Sequence, residues 1–307
     1  MAVTAQQSPQ WVPVNVRRGR LRRALFLAGL IALSVWAKIA WTVRDRSLGQ
    51  WDEAAFAAGA LHLYDALDRG GWAAGYDQFL RTMFWKAPLT SVWPVAFIAG
   101  MGRDMRAIRM GVLPFLIALP LYTFLFARRF WGRFGAVMAA SVTVLCPLLC
   151  GLANIVLAEY SLAALVTMTA YHLAASDGLR RRPHVVVVGA LTAAGVLTKL
   201  LYLFYVLPLW LVTAGLAWRR PDSRRTMTFG LSRPLVSVAM VAAITLALAG
   251  PWYLVNGRHV WAHSVHSATT DLYGSSDVWS GAVIGAYLKD CAVRGVSPWL
   301  AIVNNDV

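Results

Sequence analysis

The stretch from Ala24 to Val43 reads ALFLAGLIALSVWAKIAWTV, and it decides the fold class. Crossing the hydrocarbon core of a bilayer takes a helix of about 20 apolar residues, and this run has that length. A signal peptide has an apolar core of only about 7–15 residues, followed by a small-residue cleavage site. Here the run is longer and no such site follows, so it reads as a retained anchor. Arg17, Arg18, Arg20, Arg22 and Arg23 precede it, and such a cluster holds its end of a span in the cytoplasm. The N-terminus is therefore expected inside.

Working outward, further apolar segments fall at 88–101, 110–127, 134–150, 155–175, 185–198, 200–218 and 235–256. The chain of 307 residues is 58% hydrophobic and only 14% charged, with a mean hydropathy of +0.55. A soluble domain carries about 25% charged residues. The expected fold is all-α: a polytopic transmembrane helical bundle. The net charge of +15 does not point to nucleic acid, because the basic residues sit in short loops, Arg180 to Arg182 and Arg219 to Arg225 among them. One conflict arises. With Arg17–Arg23 and Arg180–Arg182 both inside, an even number of crossings must separate them, yet five apolar segments lie between. Either 88–101 or the stretch 134–175 is not a simple set of spans, or the second cluster faces outward. The expected total is odd, seven crossings. Cys146 and Cys150 lie in an apolar segment, where thiols pack as small hydrophobes, and Cys291 has no evident partner.

The first loop, 44–87, is expected outside and holds Asp45, Asp52, Glu53, Asp65, Asp68 and Asp77 of the chain's 14 acids. Phe56, Gly59, Ala60, Leu63, Tyr64 and Leu67 recur at helical spacing, which predicts an amphipathic helix over 54–68. Its apolar face would lie on the membrane surface or on the bundle. Gly70-Gly71 ends it, and a second short helix is expected over 72–84.

Trp51-Asp52-Glu53 sets two carboxylates at a membrane boundary. Acids in a helix's first turn also stabilise its dipole, by about 0.3–1 kcal/mol. A carboxylate beside apolar walls becomes more basic, which suits it to deprotonating a hydroxyl. Lys86 closes the loop in Trp85-Lys86-Ala87-Pro88-Leu89. It is either a snorkelling helix-end lysine or a phosphate ligand where a helix opens, in a chain whose only lysines are Lys38, Lys86, Lys199 and Lys289. Glu159 and Lys199 are ionisable groups inside apolar sequence, which makes them functional candidates by default. The structural alternative is that they pair with each other or lie at loop tips. His259, His263 and His266 share one helical face, where three imidazoles can bind a metal. No acid or cysteine stands in register with them, and an interfacial helix with Trp261 explains them equally.

Together these pieces resemble the GT-C superfamily of membrane glycosyltransferases, in its protein-mannosyltransferase and aminoarabinose-transferase-like branch, family 39. The resemblance rests on the order of five elements over residues 50–255: Asp52-Glu53; Lys86-Ala87-Pro88-Leu89, with Ala87 where the family has a first proline; the arginine-containing stretch Arg103 to Arg109; Glu159, where the family usually has Asp, with Gly195-Val196-Leu197-Thr198-Lys199 after it; and Pro251-Trp252-Tyr253. It implies one GT-C-like transmembrane unit over 1–307 with 44–87 as its first extracytoplasmic loop. It also implies a polyprenyl-phosphate-linked sugar donor, a membrane-lipid environment and a single inverting displacement. Asp52 would deprotonate the acceptor hydroxyl while Lys86, Lys199 and Arg81 hold the donor phosphate. Glu53 and Glu159 would orient the acceptor or bind a divalent cation; no other cofactor is assigned. Trp51, Trp252 and Tyr253 are the expected substrate contacts.

Two rivals differ in class. A transporter or flippase would need repeated halves with broken helices and midplane charges, and no repeat is evident. A non-catalytic relative is suggested by the C-terminal end, where Ser297-Pro298-Trp299-Leu300 opens like another membrane helix and the sequence stops at Val307. The chain is therefore expected to be a truncated, N-terminal part of such a unit.

Overall fold

The computed structural model describes residues 14–45, 51–84, 86–219, 227–228 and 231–269. The expectations for 270–307, Cys291 and the C-terminal apolar stretch among them, lie outside the described residues. The first apolar run becomes α1 (Val14–Arg44), and the loop acids follow on α2 (Trp51–Arg81). Three short helices come next, α3 (Leu89–Val92), α4 (Val95–Met101) and α5 (Met105–Met110), then the long α6 (Leu113–Leu145) and α7 (Pro147–Asn154). The rest are α8 (Ala158–Ala175), α9 (Arg182–Thr198), α10 (Tyr202–Arg219) and α11 (Arg233–Thr269). Among the described residues, the strand content is one antiparallel pairing of two-residue strands, β1 (Met227–Thr228) with β2 (Leu231–Ser232). The protein is all-α.

By length and hydropathy, four helical stretches suit a membrane: Ala24–Arg44, Met105–Leu145, Tyr202–Arg219 and Pro234–His263. The pair α7 and α8, bent by 119° at its break, adds a fifth. This is a multi-pass membrane protein. Met105–Leu145 is 41 residues long, about 60 Å as a straight helix and twice the hydrocarbon thickness. Gly132 resolves the mismatch. Its φ of 67° and ψ of −161° interrupt the helix inside the Arg128–Arg133 cluster, a backbone state that costs glycine least. The two sequence segments 110–127 and 134–150 are thus two legs of α6 and α7. Gly71, with nearly the same angles, breaks α2 likewise, so the helices expected over 54–68 and 72–84 appear as two legs that together run from Trp51 to Arg81.

Long-range contacts fix which end each helix occupies. Asp45, one residue beyond α1, and Glu53 on α2 both bind Arg109 on α5, so residues 45, 53 and 109 share one end of the bundle. The segment 88–101 therefore leaves and returns at that same end. As α3 and α4 it spans only 13 residues with a break, about 20 Å and too short to cross. The sequence presents it as an apolar segment equivalent to the others, but it falls short of span length, and the stretch 134–175 is itself broken by the 119° bend between α7 and α8. The Val156 N–H also reaches Glu53, which brings the chain back to this end after α7. Gly132, by contrast, lies at the other end, where Arg128 and Arg133 flank a cleft lined by Ala24 and Leu27 at the start of the apolar stretch of α1.

The main core lies between α6, α8, α9, α10 and α11, around Phe115, Leu119, Leu165, Tyr202 and Trp252. A second cluster joins Phe56, Ala57 and Ala60 of α2 to Ile98, Ile108 and Val156. The apolar face of α2 thus packs on the bundle. Its first leg packs over the α4–α5 region, with Asp52 of its first turn at the exposed edge and Glu53 buried.

Candidate functional site

At the α2 end of the bundle lie two acid–lysine pairs and one buried charge cluster. Lys86 Nζ donates to Asp52 Oδ1, joining the two ends of the first loop, and lies 5.8 Å from the centroid of the Phe56 ring. The Asp52 side chain is 54% exposed and that of Lys86 27%. Solvent and ligand therefore reach the pair, while Phe56 supplies an apolar wall. The turn that carries Lys86 back is tight. Met83 takes a positive φ of 54°, uncommon for a residue with a Cβ, and the Lys86 N–H donates to the Met83 carbonyl at 2.7 Å.

Glu53, next to Asp52, turns inward. Arg109 holds it with two bonds, Nε to Oε1 at 2.9 Å and Nη2 to Oε2 at 3.2 Å, and the Val156 N–H adds 3.1 Å to Oε1. Arg109 Nη1 also donates to Asp45 at 2.6 Å. Both Arg109 and Glu53 are 2% exposed. A two-pronged guanidinium–carboxylate bond fixes distance and plane together, so α1, α2, α5 and the α7–α8 turn are locked at one point. The ring of Trp41 faces both the Arg109 guanidinium, at 5.2 Å, and Lys38 Nζ, at 5.3 Å. Cation–π attraction of this kind offsets part of the cost of burying Lys38, whose Nζ has no hydrogen-bond partner among the described residues. Glu53, expected to act on substrate or cation, has its oxygens committed to Arg109 and Val156 instead. A cation would then have Glu159 alone of the two, and the described residues contain no group of three or more metal-binding side chains.

Glu159 opens α8 and Lys199 caps α9; Lys199 Nζ donates to Glu159 Oε1 at 2.6 Å. Each side chain is about 40% exposed. The alternative that these two groups pair with each other is the arrangement observed, and the pair stays open to solvent.

The Pro251-Trp252-Tyr253 element braces both lysine turns. The last carbonyls of a helix lack partners within it. Trp252 Nε1 donates to the Thr82 carbonyl at 3.3 Å and Asn256 Nδ2 to the Leu80 carbonyl at 2.6 Å, both at the end of α2 just before Lys86. The Tyr253 hydroxyl donates to the Val196 carbonyl at 2.6 Å, in the last turn of α9 just before Lys199. Trp252 is fully buried. Expected as substrate contacts, Trp252 and Tyr253 occupy positions where they hold backbone. Arg81 lies on the surface of α2, bonded to Asp77 at 2.9 Å. Trp51 begins α2, and its side chain lies outside the described residues, as does that of His266. His259 meets the edge of the Phe84 ring on α11, and His263 lies one turn further along.

Sequence reading assigned no role to Asp45, Arg109 or Asn256. For Arg109 a signal existed: a cation between Ala107-Ile108 and Met110-Gly111-Val112 is an ionisable group in apolar sequence, the criterion already applied to Glu159 and Lys199. Asp45 and Asn256 carry no comparable mark. Comparisons with protein-family models, with curated proteins and with solved structures return no match to this chain.

Proposed function

We propose that this chain is an integral membrane glycosyltransferase that moves a sugar from a polyprenyl-phosphate donor to an acceptor hydroxyl outside the cytoplasm, with inversion. The observation that carries the reading is the Asp52–Lys86 pair, a solvent-accessible acid and cation joined beside an apolar wall at one end of a membrane bundle. In this reading α1, the two legs of α6 (the second with α7), α8, α9, α10 and α11 each pass from one end of the bundle to the other. By length and hydropathy alone four stretches suit a span, or five with the bent α7–α8 pair. Under the positive-inside rule the Arg128–Arg133, Arg180–Arg182 and Arg219 ends are cytoplasmic. In this reading Asp52 and Lys86 lie outside the plasma membrane, at the level where a lipid-linked sugar meets water.

In this reading the donor phosphate opens the resting ion pair by taking Lys86 for itself. Asp52, freed, accepts the proton of the acceptor hydroxyl as its oxygen bonds to the anomeric carbon. The bond from that carbon to the phosphate oxygen breaks, and polyprenyl phosphate leaves with its new negative charge facing Lys86. Lys199, paired with Glu159 at the same end, is a second cation for phosphate. Arg109 and Glu53 act at one remove, by fixing the first turn of α2 and hence the direction of Asp52.

The test incubates membranes containing the chain with radiolabelled polyprenyl-phosphate sugars and follows loss of label from the lipid. Turnover by the native chain and none by Asp52→Asn supports the reading. Equal turnover by both removes Asp52 as the base. No turnover by a stably inserted native chain favours the non-catalytic alternative, in which both acid–lysine pairs serve as clamps.

A further inference from the structure

We propose that the end of the bundle opposite the Asp52–Lys86 pair holds an anionic phospholipid in the cleft between α1 and α6. The inference rests on the multi-pass membrane fold and is independent of the transferase reading. The cleft has a volume of about 520 Å³, within the roughly 300–1,000 Å³ of small-molecule sites. Ala28 and Ile31 of α1 face Leu121 and Phe124 of α6 across it, and Arg128 and Arg133 stand at one mouth. Two features of the sequence produce this shape. Ala24 and Ala28, one helical turn apart on the same face of α1, keep that face shallow. The break at Gly132 then turns α6 back, so the arginines on either side of it crown the groove.

The chemistry is that of a lipid, apolar along its length and cationic at one end. Among the residues lining the cleft two are arginines and none is acidic. Guanidinium groups bind phosphate in two-pronged fashion, and basic pockets between membrane helices on the cytoplasmic side take anionic head groups. The positive-inside rule accounts for arginines in a loop, but not for an apolar cleft beneath them. Access is lateral, because α1 turns Leu25, Phe26, Leu33 and Trp36 outward, each at least half exposed. An acyl chain can slide between the helices from the bilayer while its phosphate stays at the arginine level.

Native mass spectrometry of the full chain, delipidated in detergent, tests this with phosphatidylglycerol, phosphatidylcholine of the same acyl chains, and inorganic phosphate. One phosphatidylglycerol is expected per chain, preferred over phosphatidylcholine by about 30-fold, or about fivefold for each arginine at about 1 kcal/mol per cation. Arg128→Gln is expected to cut that preference about fivefold while leaving phosphatidylcholine binding as it was. Ala28→Trp fills the cleft and should abolish retention of both lipids. If Ala28→Trp lowers the melting temperature in lipid-free detergent, Leu125→Trp on the opposite wall serves in its place. Equal retention of the two lipids by the native chain overturns the proposal. So does undiminished retention by the cleft-filling variant, or displacement of the lipid by millimolar inorganic phosphate, since that would leave the acyl chain no part in binding.

Discussion

Replacing Arg109 by Met removes two bonds to Glu53 and one to Asp45 and leaves a 2% exposed carboxylate without its cation. Breaking a buried pair by deleting one partner costs about 3–5 kcal/mol, because the remaining charge stays desolvated. At about 2 °C per kcal/mol for a chain of this size, the melting temperature should fall by about 6–10 °C. Intrinsic fluorescence of the 14 tryptophans reports the transition in detergent. The partner experiment is the Glu53→Gln, Arg109→Met double variant. The substituted amide keeps an acceptor for the Val156 N–H but carries no charge, so the double variant should regain about 1–3 kcal/mol relative to the sum of the singles. A melting temperature for Arg109→Met within about 2 °C of the native chain would refute the reasoning. Strict additivity of the two substitutions would refute it as well, since a lock shared by the two side chains must show coupling.

Four further outcomes are expected. Asp52→Asn should abolish sugar transfer while changing stability by less than about 1 kcal/mol, as befits an exposed pair; a joint loss of fold and activity would make the residue structural. Glu159→Gln and Lys199→Gln should each cost less than about 1 kcal/mol in thermal unfolding, with the double variant no worse than either, because both side chains are about 40% exposed. Trp252→Ala should cost about 3–5 kcal/mol and Trp252→Phe, which loses mainly the bond to the Thr82 carbonyl, about 1 kcal/mol; a negligible effect of the alanine variant on thermal melting would contradict the brace. Cysteines introduced at Asp77 and Asp104 in a cysteine-free background should react with a membrane-impermeant maleimide from the same side, and one at Arg129 from the other. Labelling of Asp77 and Asp104 from opposite sides would mean that 88–101 crosses after all.

The site was legible in pieces. Glu159 and Lys199 stood out because a charge in apolar sequence is costly wherever the chain puts it, and Asp52, Glu53 and Lys86 because they stand at the two ends of a loop where it meets apolar sequence. Their pairings did not stand out. Asp52 meets Lys86 across 34 residues and Glu53 meets Arg109 across 56, and no local pattern encodes such distances. The sequence also set Asp52 and Glu53 side by side with similar roles. In a helix, adjacent residues point about 100° apart, which turns one to the edge and the other inward.

Membrane insertion and helical class follow from the sequence by itself, because hydropathy and the need to satisfy every backbone group inside a bilayer act on each segment separately. The arginine clusters that orient the chain are equally local. Whether 88–101 crosses was a question of tertiary structure. The answer came from Arg109, which ties α5 back to the end where α1 finishes, and from a length of helix too short for the bilayer. The bracing of two lysine turns by Trp252, Tyr253 and Asn256 likewise depends on α11 packing against α2 and α9, with contacts reaching across 176 residues. Packing chooses such partners only when the whole bundle is assembled, so no shorter stretch of chain contains them.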